Sequence, residues 1–140
     1  MTATELLAKQ IDDSGYQLEK ALDGIEDSQL DFKIAPTAMS AREIVEHLCE
    51  VYTAVEEMSR GVDYAWGTYS IEDKSWSNLM EQYTALRSKA VELATSSDDI
   101  KNLISASGFI VGHDFYHVGQ LASIRLATNP AWDPYSLYRF

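Results

Sequence analysis
The chain has 140 residues, 46% of them apolar and 24% charged, ordinary values for a soluble globular protein and enough for one domain (residues 1–140) with its own core. Eleven basic side chains stand against 22 acidic ones, a formal charge of −11 that repels phosphate backbones, so nucleic-acid binding is not expected. A single cysteine, Cys49, excludes an intramolecular disulfide and fits a cytoplasmic location. No apolar run nears the roughly 18 residues of a membrane span, and Met1-Thr2-Ala3-Thr4-Glu5 has no basic start of a signal peptide.

Thr2-Ala3-Thr4-Glu5 has the spacing of a capping box, which predicts a helix through about Leu22 with the apolar stripe Leu7, Ile11, Leu18, Leu22. Ser14 and Gly15 form a soft spot midway, and Gly24 offers a stop. The connector Ile25 to Pro36 alternates Leu30, Phe32 and Ile34; an isolated strand has no partner, so an extended segment lying over the core is expected.

A second capping box, Ser40 and Glu43, opens the next helix, with Met39 and Ile44 at the positions of a hydrophobic staple and Gly61 at the far end. Ile44, Leu48, Val51, Val55 and Met58 trace one face, and His47 belongs to it. Cys49 lies roughly 200° around the helix from His47, too far to share a ligand set with it, and reads as a small apolar filler.

Gly61 to Ser70 is a loop whose Tyr64, Trp66 and Tyr69 either pin it over a helix pair or rim a pocket. Asp73 or Ser70 then caps a third helix with the stripe Trp76, Leu79, Met80, Tyr83, Leu86, Ala90 and Leu93 or Ala94. Thr95 to Asp99 is turn chemistry, and Ile100 to Ile104 makes one helical turn. The fourth helix is expected from Ser105 or Ser107 to about Ala127, ended by Asn129 as a left-handed cap and by Pro130. Its inner face reads Phe109 or Ile110, His113, His117, Leu121, Ile124. The tail Ala131 to Phe140, with Trp132, Tyr135, Tyr138 and Phe140, is expected to pack on the helices or on a second subunit.

Histidines carry the chemistry. His113 and His117 are four apart, one above the other on a helix, and the only other histidine is His47. Three neutral imidazoles on apolar faces would forgo several hydrogen bonds, whereas one divalent ion satisfies all three. Asp114 stands where zinc proteases carry a glutamate, so a protease of that type is not expected. Zinc, nickel and iron all suit imidazole, and three nitrogens leave positions for water or a thiol. Glu50, Asp114 and Gln120 are spaced to orient a ligand, or are solvated side chains of the helix surfaces; Tyr116 sits on another face and reads as packing.

The segment from Met39 to Leu48 (MSAREIVEHL) and the segment from Gly112 to Leu121 (GHDFYHVGQL), with Ile124-Arg125-Leu126 after it, resemble the second- and fourth-helix motifs of the DinB-like superfamily. The match covers nearly the whole chain, including the connector Leu30 to Pro36; Asn129 departs from it, where a glycine is common. The resemblance implies an all-α four-helix bundle with a long crossover connection, often a homodimer. It also implies a histidine triad at His47, His113 and His117 for nickel or zinc, and in some members transfer of mycothiol, bacillithiol or glutathione to an electrophile. The rival expectations are a hydrolase using metal-bound hydroxide, a non-catalytic ligand-binding stress protein, and a purely structural helical domain.

Overall fold
The computed structural model describes residues 1–139, and every regular element among them is helical. Helix α1 (Ala3–Leu22) starts on the expected capping box: Thr2 Oγ1 accepts from the Glu5 amide at 3.1 Å while the Glu5 carboxylate accepts from the Thr2 amide at 2.7 Å. Its inward stripe is Leu7, Ile11, Ser14, Leu18, Ala21 and Leu22. Asp23 ends it, and Gly24 turns the chain at φ +67°, where a side chain would be strained.

The connector is not extended throughout. It forms a short 3-10 turn (Asp27–Gln29), and of its three alternating apolar residues only Leu30 is buried. Phe32 and Ile34 are 37% and 49% exposed, so the segment meets the core through Ile25, Gln29 and Leu30 and its second half lies outside it. Arg42 secures it from the next helix through Asp31 (2.8 Å).

Helix α2 (Ala41–Ser59) is capped by Ser40 as expected, but the Glu43 carboxylate accepts from the Ser40 hydroxyl and pairs with Lys33 instead of reaching back to the Ser40 amide. Helix α3 (Trp76–Ala94) is capped by Ser75, not by Ser70 or Asp73; Asp73 accepts from the Ser75 amide and so shapes the turn that leads into the cap.

The last helical stretch begins earlier than its serines suggest. Asp99 caps α4 (Ile100–Ala106), a π-helical segment follows (Ser107–Gly112), and α5 (His113–Thr128) continues the rod without a break. Within the π segment the His113 amide donates to the Gly108 carbonyl, five residues back. Asn129 ends α5 in an extended conformation (φ −147°), so no left-handed cap forms. Arg125 instead turns back to α1, donating to the carbonyls of Ala21 (2.9 Å) and Asp23 (2.8 Å), a cation set against the negative end of that helix.

Helix α1 packs along α5, α2 packs along α3, and α2 also faces the π segment and α5. Tyr52, Leu18, Leu30, Ile44, Leu48, Leu79, Ile110, Leu121 and Ile124 fill the space between them without exposure to solvent. Between α1 and α3 a groove of about 860 Å³ opens, bordered by Gly15, Tyr83 and Arg87. The tail lies against α1: a 3-10 turn (Pro134–Leu137) buries Leu137, and Arg139 pairs with Asp12 and Asp13. Tyr135 and Tyr138 stay largely exposed, and Phe140 lies outside the described residues. Among the described residues no helix is long and apolar enough to cross a membrane.

Candidate metal centre
The α2 stripe that buries Ile44, Leu48 and Val51 carries His47 at its edge, half-buried between two layers of core. Four-residue spacing on α5 brings His113 and His117 to the same side of that helix, and the packing of α2 against it closes the set. The ring centres lie 5.2 Å (His47–His113), 5.2 Å (His47–His117) and 4.8 Å (His113–His117) apart. One ring nitrogen from each falls within 4.8 Å of the others.

Two details fit this cluster to a cation. His47 Nε2 and His113 Nε2 are 3.1 Å apart, close to the roughly 3.3 Å that separates two nitrogens each about 2.0–2.1 Å from a tetrahedral ion. His117 Nε2 is buried with no hydrogen-bond partner. The other nitrogen of that ring, Nδ1, donates to Gln120 Oε1 at 2.7 Å, and Gln120 Nε2 in turn donates to the Tyr116 hydroxyl at 3.3 Å. That chain fixes the tautomer and leaves Nε2 with a free lone pair inside the protein, the arrangement in which a metal-binding histidine is held.

All three rings are neutral near pH 7. Burial pushes the His117 imidazole down to about 4; burial lowers His47, and burial with the neighbouring His47 lowers His113. Neutral imidazole is the form that binds a metal, so the cluster can take up an ion without first losing protons.

Of the three side chains expected to orient a ligand, only Gln120 touches a histidine. Glu50 faces the loop that follows α2, accepting from the Tyr64 hydroxyl (3.1 Å) and from the amides of Tyr69 (3.0 Å) and Gly67 (3.4 Å). Asp114 is neither a ligand support nor a solvated charge. It is wholly buried, accepting from Tyr52 (2.6 Å), Ser14 (2.8 Å) and Arg87 (2.9 Å). One residue along a helix is about 100° of rotation, which turns Asp114 into the core between the helices while His113 stays half-exposed beside His47. Cys49 is fully buried and its thiol is pushed up to about 11 by burial, which keeps it protonated and inert.

Two features of the site have no motif in the sequence. Tyr116, expected to be packing, is 64% exposed, and its ring stands edge-on to His117 at 5.1 Å and to His113 at 6.4 Å. The π segment ends where His113 begins. Gly108 and Gly112 inside it were the only hint, since exposed glycines weaken an α-helix and ease a wider turn.

Compared with known proteins, the chain matches no family model, no curated protein and no solved structure.

Proposed function
We propose that this chain is a divalent-metal enzyme of DinB-like four-helix-bundle architecture, with His47, His113 and His117 holding one nickel, zinc or iron ion and a low-molecular-weight thiol transferred to an electrophilic small molecule. The observation that carries the reading is the orphaned His117 Nε2, a buried lone pair beside two further ring nitrogens. Such a group is costly unless something binds it, and a cation is the partner that serves all three rings.

When bound, an ion on three neutral nitrogens keeps its full charge and acidifies a thiol or water at its remaining positions. The chain's own residues hold and shield that centre. Gln120 locks the His117 ring, α2 and α5 set the spacing, and the half-buried edges of His47 and His113 leave the approach open. In the transfer, the thiol proton leaves to solvent, the sulfur forms a bond to the electrophilic carbon, and the bond from that carbon to its leaving group or epoxide oxygen breaks. The oxygen of an opened epoxide then takes a proton from water, whereas a halide leaves as the anion.

Turnover of an epoxide or a bromobimane-type reagent with added thiol is the test. We expect metal-dependent product formation that falls at least about a hundredfold in His113→Ala; a metal-loaded protein that turns over neither reagent contradicts it. A hydrolytic reading stands beside it, since the same three-nitrogen centre would acidify a bound water as readily as a thiol. Ester or amide cleavage without thiol separates the two. The outer face of α5 carries Gly112, Phe115, Gly119, Ser123 and Leu126, all exposed and uncharged in a chain of net charge −11, which favours a homodimer across it. Light scattering should give the mass of two chains; the mass of one would refute this.

A further inference from the structure
Glu50 and Phe109 occupy matching places on the two helices that supply the half-exposed histidines. Glu50 lies one turn after His47 on α2, and Phe109 lies one turn before His113 in the π segment. The loop after α2 joins these two points. Its backbone and Tyr64 are held by the Glu50 carboxylate, and its Trp66 indole stacks on Phe109 at 5.9 Å with 23° between the planes. Tyr64 braces the indole edge-on at 5.1 Å. The loop therefore bridges α2 and the last helical rod about one turn from the nitrogen cluster, and the indole remains 48% exposed.

Tyr116 stands on the other flank, its ring against His113 and His117 and its hydroxyl tied to Gln120. The Glu50 carboxylate is turned to the loop, and the faces that Trp66 and Tyr116 expose beside the cluster are flat and aromatic.

We propose that Trp66 and Tyr116 determine specificity at this mouth, selecting substrates that carry an aromatic or other flat apolar group beside the atom presented to the metal. This rests on the metal reading of the three histidines. Rings of this kind gain most from offset stacking or edge-to-face contact with another ring, a preference of about three- to tenfold in affinity per contact.

The test uses the full chain loaded with zinc and two small oxygen chelators that differ only in their tails, benzohydroxamic and acetohydroxamic acid, titrated by calorimetry. Benzohydroxamate should bind at least about tenfold more tightly. Trp66→Ala should shrink that preference to about threefold or less, with zinc still near one per chain and acetohydroxamate affinity unchanged; Tyr116→Ala should shrink it likewise, read as the ratio of the two affinities in zinc-loaded protein. Because Tyr116 is exposed, its variant reads the preference even where Trp66→Ala unsettles the loop. Equal affinities in the parent chain, or a full preference surviving in both variants, would overturn the aromatic selection while leaving the metal centre in place. A chain that takes up no zinc fails earlier and overturns both.

Discussion

Gln120 does a specific job: with one amide group it sets which nitrogen of His117 carries the proton and which way the ring faces. Partners of this kind on the far side of a ligand typically contribute ten- to a hundredfold to metal affinity. Gln120→Leu should therefore weaken zinc binding by about that factor in a chelator competition, with little loss of fold since the residue is only part-buried. An unchanged affinity would show that the ring is oriented by packing alone. Spacing along the helix made Gln120 legible, because three residues is about 300° and returns to nearly the same face. The same arithmetic misjudges Glu50 and Asp114. For them the deciding partners are a loop 14 to 19 residues away and side chains 27 to 100 residues away, which local spacing cannot reveal.

At the scale of elements, the buried Asp114 ties α5 to each of the other three long helices: Ser14 on α1, Tyr52 on α2 and Arg87 on α3. The Arg87 guanidinium also donates to the Ile11 carbonyl and lies flat on Gly15, where any side chain would meet it at 2.8 Å. Ser14 and Gly15, which look like a weak point in α1, are thus the place where that helix receives the charge pair. Asp114→Ala should cost about 3 kcal/mol in denaturant unfolding, because it strands a part-buried cation and the buried Tyr52 hydroxyl. A loss below about 1 kcal/mol would mean that the network is incidental. The caps of α1 and α2 are readable because their partners lie three residues apart. The Ser75 cap, the early start at Asp99 and the π segment are not, since competing serines and aspartates stand nearby and tertiary packing chooses among them.

Across the whole molecule, the cluster makes the metal-free chain sensitive to acid. His117 titrates at 6.5 when unfolded and about 4 when folded, so the unfolded state binds more protons between those values. Stability conferred by the neutral ring is present above about 6.5 and is lost as pH falls toward 4, on the order of 3 kcal/mol in all. His117→Gln should flatten that part of the pH profile of unfolding; an identical slope would place the sensitivity elsewhere. The all-helical character and the three histidines were readable in advance because periodicity and ligand count are properties of composition and spacing. Their convergence was a wager on how α2 meets α5, 66 residues apart in sequence, and here the two ring nitrogens do meet at 3.1 Å.

X-ray absorption on untagged protein loaded with one equivalent of zinc or nickel tests that convergence most directly. The account predicts one ion per chain with three imidazole nitrogens at about 2.0–2.1 Å and oxygen donors in the remaining positions, the imidazole contribution being reduced in His117→Ala. A spectrum without imidazole scattering, or metal content far below one per chain, would contradict it.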